Sequence, residues 1–310
     1  MSLSSSSSAT IEEDGRDARA LVSDSLRASQ SGWRAALRGF SQDKAAVVGA
    51  IVILFIALAA IFAPLVSPYD PIASDSRMRL EPMGTEGHIL GLDFQGRDML
   101  SRLIWGGRVS LPNALIPVVI ASVISLFLGL TAGYLGGFID TIIMRLMDVL
   151  FALPSVILAI AIAAAMGPGS RSVILATTLV TIAPLTRMTY TATREQAHSE
   201  YVTAARAIGA PFTSIIGRHM LPNVMAPVLV YATTIIGLLV VFTASLSFLG
   251  LGVSPPTAEW GLMVDEGRRV LSVAPHVSSL PGVIIAITAL CFNLIGDGLR
   301  YALDPRQRRV

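Results

Sequence analysis

Lysine is all but missing from this chain, and the one that occurs, Lys44, is followed by Ala45. A phosphate-cradling P-loop reads G-x-x-x-x-G-K-[ST], with its lysine reaching the phosphates. The chain therefore holds no such loop and is not itself a P-loop nucleotidase. Cysteine is equally scarce. Cys291 stands alone inside an apolar run, which excludes an internal disulfide and a cysteine-based metal cluster. Neither H-E-x-x-H nor G-x-S-x-G occurs, and the four histidines, His88, His198, His219 and His276, fall in polar stretches. His198 and His219 share one stretch, but their spacing matches no common zinc site. Charge is sparse too. Charged residues make up 14% of the chain, against about 25% in soluble domains. The net charge of +2 gives nucleic acid nothing to bind.

What remains is apolar: 53% of the residues are hydrophobic and the mean hydropathy is +0.67. That composition implies an all-α, polytopic membrane protein. Six spans are expected, at about 45–65, 109–133, 149–166, 173–190, 224–251 and 281–301. Ala45 to Pro64 carries no charge and reaches about 30 Å at 1.5 Å per residue, one hydrocarbon thickness. Residues 1–32 are Ser-rich and then charged, and read as a disordered cytoplasmic tail. Residues 33–310 form the membrane domain. Trp33 to Lys44 is basic and suits the membrane surface. Pro112 and Pro117 are tolerable inside a span, and Pro154 is expected to kink the third. Tyr134 to Asp140 reads as a short Gly-rich turn.

The most polar segment between two apolar runs is residues 194–223. Two helical pieces are expected in it, Arg194 to Ile208 and Phe212 to Met220, the second ending before Leu221-Pro222. Gly209 stands where a glycine stops a helix, and Pro211 where a first-turn proline starts one. The outcome is a helical hairpin too polar to cross a bilayer.

Elsewhere the charges look structural. Asp93 and Asp98 resemble a catalytic pair, but Arg97 and Arg102 beside them favour ion pairing. Arg145 and Asp148 lie at i,i+3 and can pair on one helix face, which is favoured over a proton relay at Asp148. Asn293, Thr233, Thr234, Thr243 and Ser245 are the main polar groups of the last two spans and suit helix packing.

The hairpin also carries a family resemblance. Thr203-Ala204-Ala205, three residues, Gly209, nine residues, then His219-Met220-Leu221-Pro222 resembles the E-A-A…G…I-x-L-P loop of ABC importer permeases. Thr203 replaces the family's Glu and His219 its Ile; both are similar to the peptide-importer branch, which reads Y-V-x-A-A and R-H-x-L-P-N. Other stretches resemble the same branch. They are Gly91-Leu92-Asp93-Phe94-Gln95-Gly96-Arg97-Asp98 (with Leu92 in place of Thr), the run from Gly136 to Pro154, Ser247-Phe248-Leu249-Gly250-Leu251-Gly252, Glu259-Trp260-Gly261, and Asn293 to Arg306. The resemblance covers everything after about residue 33.

The resemblance implies a type I ABC importer permease fold and a permease subunit of an ATP-driven importer of di- or oligopeptides or a related small solute. It implies four kinds of partner: a second homologous permease, two ATP-binding subunits that carry the ATP and Mg, an extracytoplasmic substrate-binding protein, and the membrane. It places the contact with the ATPases on Glu200, Tyr201, Thr203, Ala204, Ala205, Gly209, Phe212, His219, Leu221 and Pro222. No catalytic, cofactor or metal residue is expected in this chain, and no nucleic-acid partner. Fifteen of the 23 Lys and Arg residues fall in residues 1–44, the 134–148 turn, residues 187–223 and the C-terminus from Arg300 onward. By the positive-inside rule both termini and the hairpin are then cytoplasmic, in a bacterial inner membrane.

Two other classes compete. An ion-coupled secondary transporter places ionisable groups at the bilayer midplane, where each costs about 2.5–3.5 kcal/mol; here such groups sit at span ends. A scaffold or sensor without transport would lack ATPase and binding-protein neighbours.

Overall fold

The computed structural model describes residues 39–303; the expected 1–32 tail lies outside them. Residues 39–42 are helical. Asp43 then caps α1 (Lys44–Ile61), its carboxylate accepting the N–H groups of Ala45 and Ala46 at 3.0 and 3.2 Å. A short helix α2 (Ala63–Val66) follows, and a turn-rich segment leads to α3 (Met99–Leu135), capped by Asp98. Next come α4 (Gly137–Ala152), α5 (Ser155–Met166) and α6 (Ser170–Ala197). The hairpin holds α7 (Glu200–Ala207) and α8 (Phe212–Ser214), and a π-helical stretch, Ile215–Met220, joins α8 to α9 (Leu221–Phe248). The chain closes with α10 (Trp260–Arg268) and α11 (His276–Leu303). Among the described residues there is no strand, only two isolated bridges.

Five helices are long and apolar enough to cross a membrane, and six crossings result if α4 and α5 count as one broken span. The expected straight span at 149–166 is thus corrected: α4 and α5 meet at 87°. Pro154 disfavours helical backbone at the residue before it, and Leu153 is extended, with φ −95° and ψ 136°. The expected 109–133 span begins ten residues earlier, because the Asp98 cap starts a helix through a stretch that its arginines made look like loop. The turn expected at 134–140 shrinks to Gly136, whose φ is +65°.

Close helix contact is set by small residues. Gly129 and Gly133 of α3 face Thr189 and Thr193 of α6, where an added Cβ would lie 2.5 and 2.7 Å from the threonine Cβ atoms. Between the same helices, Ser125 donates to the Ile182 carbonyl and receives the Thr186 hydroxyl, both at 3.1 Å. The hydroxyls of Thr178, Thr181, Thr189 and Thr193 turn back onto carbonyls one turn earlier. This explains how the least apolar crossing, α6, is also the most enclosed. Thr233, Thr234, Thr243 and Ser245 bond in the same way within α9. Gly237 of α9 abuts Asn293 and the Ala289 carbonyl of α11, and Gly298 of α11 abuts Ala46 of α1.

The ends of the helices hold two polar lobes. In the lobe at the start of α3, Arg97 reaches Asp93 (2.6 Å) and Glu266 (3.0 Å), and Arg102 reaches the same two carboxylates (3.1 and 2.8 Å). Asp98 departs from the arginine pairing expected of it: one oxygen meets His88 Nδ1 at 2.9 Å and the other accepts the Ser101 N–H and hydroxyl at 2.7 Å each. Asp93 and Glu266 share the two guanidiniums while Asp98 has partners of its own, so among the described residues these carboxylates are held by cations and donors and not by one another. The i,i+3 pair Arg145–Asp148 is present at 3.7 Å, and Arg187 also binds Asp148 while stacking on Phe151.

Candidate coupling hairpin

The second lobe, at the far end of α3, is the 194–223 hairpin. Its first arm is not one helix. α6 ends at Ala197, His198 and Ser199 leave helical geometry (Ser199 φ −71°, ψ 153°), and α7 begins at Glu200. Glu200 lies in the first turn and Arg206 in the last, both favourable to the helix dipole. α7 stops at a complete Schellman motif: the Gly209 N–H donates to the Arg206 carbonyl at 3.0 Å and the Ala210 N–H to Ala205 at 3.1 Å. This closure needs positive φ at residue 209, and Gly209 has +74°. A Cβ there would meet nothing within 4 Å, so the demand for glycine is purely conformational. Pro211 caps α8 from outside instead of opening its first turn.

The second arm does not end before Leu221. The π stretch carries the helix through, with the Leu221 N–H donating to the Ile216 carbonyl five residues back. Pro222 has no N–H to give, and the widened turn takes up the mismatch. Such π segments are frequent at functional sites.

A small core holds the arms together: Ala197, Val202, Ala205, Ile215 and Met220, with Tyr134, Ala210 and Ile216 against it. Ala205 is therefore an inward, packing residue, while Ala204 beside it is exposed. Glu200, Tyr201, Thr203, Gly209, Phe212 and Pro222 are also exposed, and His219 and Leu221 are half-buried. The Tyr201 hydroxyl ties the arms, donating to Gln196 at 2.7 Å and accepting from Asn223 at 3.1 Å.

Sequence reasoning missed two residues here. Ile208 is 84% exposed at the apex, directly before the turn glycine. Spacing hid it: Ile208 lies three residues after the buried Ala205, so helical periodicity places it inward, and only the end of α7 at Ala207 turns it out. Tyr134, near the end of α3, is the other. Arg206 Nε donates to its hydroxyl at 3.2 Å, the guanidinium lies 4.5 Å over its ring, and Phe212 meets it edge-on at 5.3 Å. Nothing local to Tyr134 announces that role.

The residues thus form a capped, polar-flanked knob with an apolar apex, outside a bundle of spanning helices. Among the described residues no group of three or more His, Cys, Asp or Glu side chains could hold a metal. Comparison with known families decides the assignment: residues 125–309 match the model described as "Binding-protein-dependent transport system inner membrane component". The chain belongs to that family. Residues 31–82 of the permease also match the N-terminal TM domain of oligopeptide transport permease C. The permease is 40% identical over 274 residues to a glutathione transport system permease protein of Pectobacterium atrosepticum, covering 88% of this chain and 91% of the relative. It is 42% identical over 278 residues to a di/tripeptide transport system permease protein of Pseudomonas aeruginosa, covering 88% and 92%. A dipeptide transport system permease protein of Haemophilus influenzae shares 38% over 275 residues, covering 87% and 93%. A crystal structure of an amino acid ABC transporter with histidines superimposes with a TM-score of 0.52 at 16% identity, over 68% of this chain and 95% of that one. The fold is that of an ABC transporter permease, and the protein is a multi-pass inner-membrane permease component.

Proposed function

We propose that this permease forms half of the path through which an ABC importer carries di- or oligopeptides, or a peptide-like solute such as glutathione, and that the 194–223 hairpin couples the path to ATP hydrolysis on partner subunits. The substrate class is supported by the printed functions of the relatives, which are peptide and glutathione permeases at about 40% identity across nearly the whole chain. The coupling role is carried by one observation: a closed, capped hairpin whose most exposed large apolar side chain is Ile208, at its apex. A lone apolar residue on a rigid polar surface is what a hydrophobic cleft in a partner protein recognises.

In this reading two ATP-binding subunits carry the ATP and Mg, a second homologous permease completes the path, and a soluble binding protein delivers the substrate on the other face. The hairpin and both termini lie in the cytoplasm. The loops on the opposite face carry eight basic residues against nine acidic ones, so the excess of arginine is on the hairpin side. Closure of the ATPase dimer moves the docked hairpin as a body, and the spans exchange inward and outward openings through contacts that differ between the two states.

Gly209→Val tests the reading. A β-branched side chain resists the left-handed conformation by about 1–2 kcal/mol, and the open space around Gly209 means that nothing else is disturbed. The variant should insert and assemble its spans normally. ATPase co-purification, substrate-stimulated hydrolysis or uptake should fall. Gly237→Val is the control, since its side chain would run into Asn293 and the Ala289 carbonyl and should lower expression instead. Wild-type values for all three readouts in Gly209→Val would remove the hairpin from the coupling path and favour an ion-coupled carrier.

A further inference from the structure

A cavity of about 790 Å³ opens where α1 and α2 leave the apolar part of the bundle. Its wall brings together Pro64, Tyr69 and Asp70 from the segment after α1, Trp105 and Arg108 from α3, and Thr257 from the loop before α10. Two charges of opposite sign thus line one cavity without pairing, since no contact within 4.0 Å joins Arg108 to Asp70. Arg108 is exposed, and the partner found for it is the Trp105 ring, 5.0 Å below its guanidinium. Asp70 takes the Ile72 N–H on Oδ1 at 2.9 Å, and no described cation approaches it. Neither Arg108 nor Asp70 has an ion-pair partner among the described residues, so the site is chemically incomplete.

Three features specify what completes it. The guanidinium is a donor that suits an anionic oxygen group, phosphate above all. Asp70 calls for a cation that can donate hydrogen bonds. The helices that precede the cavity in the chain leave apolar side chains bare, Ile61, Phe62, Leu65 and Val66, of which Leu65 is 84% exposed. Tyr69 and Trp105 at the cavity are the amphipathic rings that sit at the boundary between hydrocarbon and headgroups. Tyr69 is fixed there: its hydroxyl bonds the Gly87 carbonyl at 2.9 Å, and its ring lies 4.6 Å from His88.

We propose that this cavity binds the headgroup of a zwitterionic phospholipid bearing a primary ammonium. The phosphate sits against Arg108, the ammonium against Asp70, and the acyl chains lie along α1 and α2. The site requires only that the chain spans a membrane and is independent of the transported solute.

The test uses the full permease complex, purified in detergent, stripped of lipid, and titrated with dioleoylphosphatidylethanolamine while native mass spectrometry counts the lipid retained. Dioleoylphosphatidylglycerol, an anion without the ammonium, and dialanine, a free zwitterion without acyl chains, are the parallel arms. The wild type should retain phosphatidylethanolamine over phosphatidylglycerol. Arg108→Gln should weaken retention about tenfold, the worth of one charge-assisted hydrogen bond, and Arg108→Lys should restore part of it. Asp70→Asn, in an exposed loop, should abolish the preference between the two lipids. If Arg108→Gln fails to assemble, Asp70→Asn decides alone. A preference unchanged in Asp70→Asn, or displacement of the lipid by dialanine, would overturn the proposal.

Discussion

At one end of α3, Arg97 and Arg102, each 1% exposed, are locked between Asp93 and Glu266. At the other end the hairpin rests on a handful of small side chains and leaves an isoleucine bare. The first lobe satisfies its own charges; the second withholds an apolar surface. Buried guanidiniums without carboxylates would be ruinous, so the first arrangement is stable only when complete. The hairpin is stable without its apex residue, because Ile208 packs on nothing that the core needs. A surface that costs the fold nothing and exposes an apolar side chain is where a partner can act, whereas the charged lobe is where the chain holds itself together.

The largest expected effect breaks the locked lobe. Glu266→Ala leaves two buried guanidiniums sharing one carboxylate, and loss of one partner of a buried pair costs about 3–5 kcal/mol. The variant should be degraded in the membrane or unfold well below the wild type in a thermal melt of the detergent-purified complex. An unchanged melting temperature would show that the lobe is not locked by these charges.

A smaller effect sharpens the account through pH. Burial pushes the Glu259 carboxyl above its ordinary value of 4.5, although it accepts the N–H groups of Gly261 and Leu262 and the Ser110 hydroxyl. Glu266 shifts in the same direction, again through burial, with Arg97 opposing. For a carboxyl whose folded pKa is raised, the stabilisation is complete below the unfolded value and is lost as pH rises through the folded one. The complex should therefore lose stability as pH rises from the unfolded value of 4.5 through the raised folded values. Glu259→Gln should flatten that slope without abolishing it, since Glu266 remains. An identical slope in wild type and variant would assign the dependence elsewhere.

The smallest effect on stability is expected at the apex. Ile208→Ser should move the melting temperature hardly at all, within about 0.5 kcal/mol for an exposed site. ATPase binding should nevertheless weaken about tenfold or more if this side chain is an anchor. Titration of labelled ATPase subunits onto the permease in nanodiscs measures it. Unaltered affinity would mean that the hairpin docks through its flanks, Tyr201 or Phe212, and not its tip.

Much of this architecture could be read from residues alone. Charge-free runs located the crossings because hydrocarbon tolerates little else, and Gly209 marked the hairpin turn because few other residues accept its backbone. Local pattern has no access to direction, however. Pro154 signalled a bend, but not that the halves would meet at 87°. Arg97 and Arg102 made the start of α3 look like loop because their partner Glu266 lies 164 residues beyond Arg102. Tyr134 looked like the start of a Gly-rich turn because Arg206 and Phe212 reach it only in the folded chain. The split at His198–Ser199 had no glycine or proline to announce it.

That split gives the hairpin's two arms different mechanics. The arm from α6 has a joint at its base, whereas the other runs from Phe212 to Phe248 as a single 37-residue shaft. The shaft behaves like an oar with the bilayer as its oarlock. From its midpoint to Phe212 is about 27 Å at 1.5 Å per residue, so a tilt of about ten degrees sweeps the blade by about 5 Å, one helical turn. Ala197 and Tyr134, packed into the hairpin core, carry that sweep to the ends of α6 and α3.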